Sequence, residues 1–210
     1  MKKIGAFMLL IMLSLLPACN NEQQSDTQVQ ENNYIVVDPD RGLTCMDFDT
    51  VYSMTKDFLD SFYSITQLHE SKDFSLYIVN ENLLWYTNKK AEACQVPSKS
   101  SVYIVYGLSE IKWYENYVYI FIVAQVYQGP NFTGGGFSEG HEFLIENEGG
   151  GLTIADWYSG GKGNSSILDF ASRKPYNGLY DIDIWENEEW VNEIFLSIIA
   201  ENSPTSKVVR

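Results

Sequence analysis

The chain has 210 residues, 45% of them hydrophobic, and its 28 acidic side chains outnumber its 14 basic ones, so its formal net charge is -14. This charge repels phosphate backbones and excludes the basic footprint of a nucleic-acid-binding protein. Protein, glycan, cation or neutral-ligand partners remain, because a solvated acidic surface is compatible with each of them. The length is sufficient for one domain with a core, but short for two.

The start of the chain has the layout of an export signal. Lys2 and Lys3 precede an apolar run over residues 4–16, which suits a signal peptide better than a spanning helix of about 20 residues. A sequence that resembles the lipobox of bacterial lipoproteins follows, made of Leu16, Pro17, Ala18 and Cys19. The resemblance implies that residues 1–18 are removed and that lipid on Cys19 anchors the protein to a bacterial cell membrane, outside the cytoplasm. An ordinary signal peptide, or a buried helix with a chance cysteine, is the alternative.

The segment after Cys19 is polar. Residues 20–33 are mostly Asn, Gln, Glu, Ser, Asp and Thr, with Val29 as the one bulky apolar side chain. This composition buries too little apolar surface to offset the entropy of ordering, so residues 19–33 are predicted to be a flexible tether. Residues 34–210 are predicted to form a single domain. Its most apolar run, residues 118–126, is too short to cross a bilayer as a helix.

Two further cysteines, Cys45 and Cys94, remain after Cys19. In an oxidising compartment such a pair is more often bridged than reduced, so we predict a disulfide between them. Two buried free thiols are the alternative, because the separation of the Cα atoms decides and the sequence does not give it. Neither a metal nor a cofactor is predicted, since there is no CxxC motif and the chain has only two histidines, His69 and His141.

The predicted elements run from helices to strands. Apolar side chains recur every three or four positions over residues 47–66, which predicts an amphipathic helix, and a less regular helix is predicted over residues 73–93. Alternating apolar residues then predict four strands, over residues 102–114, 117–128, 141–147 and 152–158. The Gly-rich residues 129–140 separate the two hairpins, and a closing helix is predicted over residues 183–200. This order predicts an α+β fold, with helices packed on a curved antiparallel sheet.

The order of elements also carries a resemblance. The segment EFLIENEGGGLTIADWY is similar to the end of the sheet in the nuclear-transport-factor-two-like superfamily of small cone-shaped domains. The residues that carry the similarity are Phe143, Ile145, Gly150, Leu152, Ile154, Asp156 and Trp157. Membership would imply a concave pocket, but this fold serves enzymes and binding modules alike, so it implies no reaction. The closing helix departs from the minimal family pattern and could cover the sheet or plug the pocket.

The second predicted strand has two distinct faces. Its even positions are aliphatic and should pack on the helices. Its odd positions include the candidate ligand-binding residues Tyr117, Tyr119, Phe121 and Tyr127. Aromatic side chains with polar tips suit contact with a sugar, an apolar ligand or a protein, although tyrosine is also an ordinary strand former. The alternative is that this face is a second core surface beneath the closing helix.

The second hairpin gives the one catalytic hypothesis. If both apolar faces point inward, a four-residue turn pairs Phe143 with Asp156 and His141 with Tyr158, which makes His141 and Asp156 diagonal neighbours. A histidine and a carboxylate at this distance can act together as a general base, with Tyr158 beside them. The alternative is that His141 lies at the exposed start of its strand and Asp156 leaves the core.

Three functions are compatible with these patterns. The first is a non-enzymatic envelope lipoprotein whose domain binds a protein or a small ligand through the aromatic strand face and the loop at residues 129–140. The second is a pocket enzyme, of hydrolase or isomerase type, that uses His141, Asp156 and Tyr158. The third is a structural or assembly factor in an envelope complex.

Overall fold

The first helix, α1, spans Phe48–Leu68 and follows a 3-10 turn at Cys45–Asp47. The structure is a computed structural model that describes residues 34, 42–115, 117–129, 135–160 and 184–201. One side of α1 is buried along its whole length, as the spacing predicts, and includes Val51, Met54, Thr55, Phe58, Leu59, Phe62 and Tyr63. The helix ends where His69 adopts a left-handed conformation, with φ 56°. The N–H of His69 then bonds to the Ile65 carbonyl and the N–H of Glu70 bonds to the Ser64 carbonyl.

The second helix, α2, spans Glu81–Ala93 and is shorter than predicted. Asn80 is the reason for its late start, because its side chain accepts hydrogen bonds from the backbone N–H groups of Asn82 and Leu83 at 3.0 and 3.1 Å. Residues 74–76 form only a 3-10 turn. The predicted helix over residues 73–93 is therefore wrong in its first eight positions.

Four strands form one antiparallel sheet in the order β1-β2-β3-β4. They are β1 at Val102–Trp113, β2 at Tyr117–Gln128, β3 at Gly136–Glu148 and β4 at Gly151–Gly160. The α+β class and the curved, open antiparallel sheet are confirmed. Strand β3 begins five residues earlier than predicted, so the predicted long loop at 129–140 shrinks to the residues before Gly136.

Helices cover one face of this sheet, which we call the inner face. The even positions of β2, from Val118 to Val126, are fully buried there, as predicted. Phe58 of α1 lies against Phe143 of β3 and Trp157 of β4, with ring centroids 5.5 and 5.0 Å apart. Burial of these large rings helps to hold α1 on the sheet. The opposite face of the sheet is called the outer face below.

The closing helix, α3, spans Glu188–Glu201 and follows a 3-10 turn at Ile184–Glu186. Its Phe195 lies on Trp85 of α2, with ring centroids 4.0 Å apart. Trp185, in the preceding turn, lies 5.2 Å from the ring of Tyr86 in α2. These contacts place the closing segment against α2.

Several predictions concern segments that the structure does not describe. The export signal, Cys19 and the tether up to residue 33 all lie outside the described residues. No helix in the described ranges is both long and apolar enough to cross a membrane. Cys45 and Cys94 are described, and neither forms a disulfide, so the predicted bridge is not observed. Cys45 is exposed in the turn before α1, whereas Cys94 is partly buried at the end of α2.

Candidate functional site

Five polar side chains meet at one end of the inner face, and we call them the inner polar cluster. They come from helices α1 and α2 and from strands β3 and β4: Tyr63, Lys90, Glu139, His141 and Ser159. The hydroxyl of Tyr63 lies 2.8 Å from Nε2 of His141 and donates to Glu139 at 3.0 Å. Ser159 donates to the same carboxylate at 2.6 Å, and Nζ of Lys90 donates to the Ser159 carbonyl at 3.3 Å. The cluster therefore joins α1, α2, β3 and β4.

Burial controls the protonation of this cluster. The pKa of His141 is lowered to about 4, mainly because the side chain is fully buried; Glu139 opposes this effect and Lys90 adds to it. Burial and the neighbouring Glu139 raise the pKa of Tyr63. At neutral pH the imidazole is therefore uncharged and the tyrosine keeps its proton.

The hydrogen bonds also assign the tautomer of His141. Since the Tyr63 hydroxyl donates its hydrogen bond to the Glu139 carboxylate, its oxygen accepts from Nε2–H of the imidazole, which leaves Nδ1 without a proton. This nitrogen is buried and has no hydrogen-bond partner in the described part of the chain. An imidazole with a free lone pair is a base in chemical terms. However, a substrate would reach it only if Tyr63 or its neighbours moved.

The predicted catalytic pair is not formed. A β-bulge in β4 shifts the register, so that Phe143 pairs with Trp157 and His141 pairs with Ser159 instead of Tyr158. Asp156 pairs with Leu144 and is therefore turned to the outer side, whereas His141 points to the inner side. The prediction of a diagonal contact between His141 and Asp156 is wrong, because the bulge shifts the register of β4.

Asp156 and Tyr158 have other surroundings. Asp156 is almost fully buried and accepts a hydrogen bond of 2.8 Å from Nε1 of Trp185, which precedes α3. Tyr158 is partly buried and pairs with Glu142 in the β3–β4 register. Asp156 thus fastens the closing segment to the sheet.

The outer face carries the other candidate site, which we call the outer aromatic surface. It is centred on β1 and β2 and comprises Tyr103, Val105, Phe121, Val123 and Tyr127. Tyr103 is 50% exposed and Val105 40% exposed, while the other three are partly buried. The rings of Tyr103 and Tyr127 face each other across the two strands, with centroids 6.4 Å apart. The closing helix therefore does not cover this surface.

Two glycines, Gly107 and Gly140, affect the shape of this surface because they have no side chain. Gly140 lies beside Phe121, whose ring would be only 2.7 Å from a Cβ at that position. Gly107 lies in the open, with only the Val123 carbonyl oxygen within 4 Å of its would-be Cβ, at 3.9 Å. The aromatic ring thus fills the space above one glycine and leaves a shallow depression above the other.

The remaining predicted aromatic residues lie at the far end of the same strand. The hydroxyl of Tyr119 donates to Glu142 at 2.8 Å, and Nζ of Lys112 lies 5.3 Å from the Tyr119 ring centroid and 2.8 Å from Glu110. Burial, followed by the bond to Glu142, raises the pKa of Tyr119. Tyr117 is partly buried and stacks on Tyr114 at 4.5 Å. This end is therefore polar, and the apolar part of the face is the outer aromatic surface.

Two cavities complete the description, and the first of them borders both sites through Tyr63 and Tyr103. One, of about 260 Å³, is bounded by α1 and the start of β1 and includes Asp60, Tyr63, Val102 and Ile104. The other, of about 290 Å³, lies beside the β3–β4 turn and has an acidic lining. Within the described residues no group of three or more His, Cys, Asp or Glu side chains is arranged to hold a metal ion.

Four members of the inner polar cluster are not among the predicted site residues: Tyr63, Lys90, Glu139 and Ser159. Tyr63 lies next to the apolar stripe of α1, Lys90 lies near the end of the predicted helix over residues 73–93, Glu139 lies in the predicted loop at 129–140, and Ser159 directly follows the last predicted strand. Lys90 is in fact 3% exposed, and its ammonium group lies 4.9 Å from the ring centroid of Trp157. The spacing of apolar residues in β4 gave a usable signal, since Trp157 breaks the alternation set by Leu152 and Ile154. A break of this kind indicates a bulge.

Comparisons with protein-family models, with curated proteins and with solved structures found no match to this chain.

Proposed function

We propose that this protein is an exported lipoprotein, anchored by lipid on Cys19, whose domain binds an envelope protein without catalysing a reaction. The observation that carries the proposal is the outer aromatic surface. Helices cover the inner face of the sheet, whereas Tyr103, Phe121 and Tyr127 stay partly or largely accessible on the other side. Adjacent accessible aromatic side chains are typical of binding surfaces and uncommon elsewhere on a soluble domain.

Charge indicates the kind of partner. The acidic side chains of Glu110 and Glu142 lie beside the apolar centre, and the whole chain carries a net charge of -14. A protein that presents apolar side chains surrounded by Lys or Arg would match both features. A glycan would use the tyrosine rings but would gain little from the surrounding carboxylates.

We also infer that the domain is a relative of the nuclear-transport-factor-two-like superfamily. The support is its order of helices and strands and its curved four-stranded sheet. Members would use the space between α1 and the sheet as a pocket. In this chain Tyr63 lies against His141 there, which favours binding at the outer surface.

The enzyme alternative has lost its geometric basis, because His141 and Asp156 point to opposite sides of the sheet. A role as an assembly factor would use the same outer surface. The two roles differ in what a substitution in the outer aromatic surface would do, since for an assembly factor it would dissociate a larger complex.

Fatty-acid labelling tests the anchor. Cells that express the chain with a radioactive fatty acid should yield a labelled protein, and Cys19→Ala should remove the label. Cys45→Ala is the matched control and should keep it. Label that survives Cys19→Ala would refute the anchor.

Site-specific photo-crosslinking in intact cells tests the binding surface. A photoreactive residue at Val123 should give a discrete product with another protein, distinct from any product of twice the mass of the chain, and Phe121→Ser should abolish it. The same residue at Leu196, which is 66% exposed on α3, is the control and should give no such product. Equal products from both positions, or none from Val123, would contradict the proposal. A product that consists of glycan would assign the surface to sugars instead.

A further inference from the structure

Strand β1 lies at one edge of the sheet, and its backbone has a consistent orientation. The carbonyl of Ser101 accepts from the N–H of Gly129, so odd-numbered residues in the first half of β1 bond to β2. The even-numbered residues from Val102 to Leu108 therefore direct their N–H and C=O groups away from the sheet. In agreement, the carbonyl of Tyr106 accepts a long bond of 3.4 Å from the Tyr52 hydroxyl of α1. This edge has the groups needed to pair with another strand.

The side chains at this edge lack the usual protection against pairing. Exposed edge strands are commonly blocked by charged residues or proline. Residues 100–109, with the sequence SSVYIVYGLS, contain neither, although 20% of the chain is charged. Tyr103, Val105 and Leu108 are each at least 40% exposed. A bulge between Leu108 and Glu110 ends this regular, uncharged segment.

We propose that a second copy of this chain binds here, with the two β1 strands paired antiparallel about a twofold axis at Val105. This register pairs the outward-facing groups of Val102, Ile104 and Leu108 together with those of Tyr106, whose carbonyl would exchange its long bond from Tyr52 for one from the second copy. It sets Val105 opposite Val105 of the second copy and Tyr103 opposite Gly107. The depression above Gly107 receives the tyrosine ring, since only one atom lies within 4 Å of its would-be Cβ.

The cavity of about 260 Å³ supports the same arrangement. It is bounded by Val102 and Ile104 of β1 and by α1, on the inner side of the edge. In the proposed register Leu108 of the second copy lies opposite Val102, so its side chain enters this cavity. The segment is thus complementary to itself on both faces of the sheet.

Shape, rather than charge, favours a second copy over an unrelated strand, because the same segment supplies both Tyr103 and the depression above Gly107. Two chains of net charge -14 repel each other, and pairing through the uncharged residues 100–109 adds no charged side chain of β1 to this repulsion. The pairing shares Tyr103 and Val105 with the outer aromatic surface, but it is carried by the backbone edge of β1 and does not require the proposed binding function.

Cysteine crosslinking of the full chain in membranes tests the register. Paired residues without hydrogen bonds between them have Cα atoms about 4.5 Å apart, which suits a disulfide. Val105→Cys should therefore give a dimer of twice the mass on oxidation, at least tenfold more than wild type, whose own cysteines set the background. Gln125→Cys is the matched control, because it lies one strand further in and its copies would be about 14 Å apart. No dimer from Val105→Cys, or equal dimer from Gln125→Cys, would overturn the proposal.

Charge exchange provides a second test that does not require a covalent bond. In sedimentation of the detergent-solubilised full chain, Val105→Lys and Val105→Glu should each be monomeric, because like charges meet on the twofold axis. An equimolar mixture of the two should restore the dimer. Circular dichroism of each variant checks that it is folded. Monomeric wild type, dimers from either variant alone, or a monomeric mixture of folded variants would overturn the proposal.

Discussion

The two faces of the sheet differ in how they use polar and aromatic side chains. On the inner face, Tyr63, Glu139 and His141 are joined by short hydrogen bonds inside a tightly packed aromatic core. On the outer face, the rings of Tyr103 and Tyr127 lie 6.4 Å apart and remain accessible to solvent. Aromatic content alone therefore does not mark a binding site. What distinguishes the aromatic centre of the outer face is its exposure, since Tyr103 is 50% and Val105 40% exposed.

The largest expected effect compares two phenylalanines in adjacent strands. Phe143→Ala removes a fully buried ring from the inner face and should lower the free energy of unfolding by about 3–5 kcal/mol. Phe121→Ala removes a partly buried ring from the outer face and should cost about 1 kcal/mol. Urea denaturation of both variants measures the difference. Similar losses would mean that both faces are core.

The next effect concerns pH and the inner polar cluster. His141 has a folded pKa of about 4, below its ordinary 6.5, so its contribution to stability is complete above pH 6.5 and is lost as the pH falls towards 4. The wild type should lose about 3 kcal/mol more than His141→Gln over this range. Denaturation at several pH values measures the loss, with His69→Gln as the control histidine. Parallel curves for wild type and His141→Gln would show that the imidazole is not buried in its neutral form.

A smaller effect is expected where the closing segment meets β4. Asp156→Ala leaves the buried Nε1 of Trp185 without this acceptor and should cost about 1–3 kcal/mol. Asp156→Asn keeps an acceptor oxygen and should cost less. Hydrogen exchange of residues 184–201 should rise in the alanine variant first. Unchanged exchange there would mean that other contacts hold this segment.

The smallest effect has the opposite sign and concerns two outer-face glycines. In the monomeric Val105→Lys background, Gly107→Ala meets open space and should stabilise the strand by about 0.5–1 kcal/mol, because alanine loses less backbone entropy on folding. Gly136→Ala should destabilise, since its Cβ would lie 2.5 Å from the Val126 carbonyl oxygen. Thermal unfolding of the two variants measures the contrast. A loss of stability in Gly107→Ala would indicate that the depression is already filled.

Local patterns in the sequence determined the class of fold and much of the core. The periodicity of a helix or a strand is a local property, and it decides which side chains share a face. The spacing of apolar residues therefore predicts the burial of Phe58 in α1 and of Val118 to Val126 in β2. The limits of α2 did not follow, because capping by Asn80 outweighs a weak apolar pattern before it. The export signal and Cys19 remain predictions from sequence alone.

Tertiary structure alone decided the sites. One extra residue in β4 reverses the alternation, which separates His141 from Asp156 and brings His141 to Ser159. Tyr63 and Lys90 reach the inner polar cluster from helices distant in sequence, and no local period encodes such a meeting. Similarly, the sequence shows that β2 has an aromatic face, but only the tertiary structure shows that this face stays partly exposed to solvent. A sequence pattern fixes which way a side chain points within its own element, whereas its neighbours depend on how the elements pack.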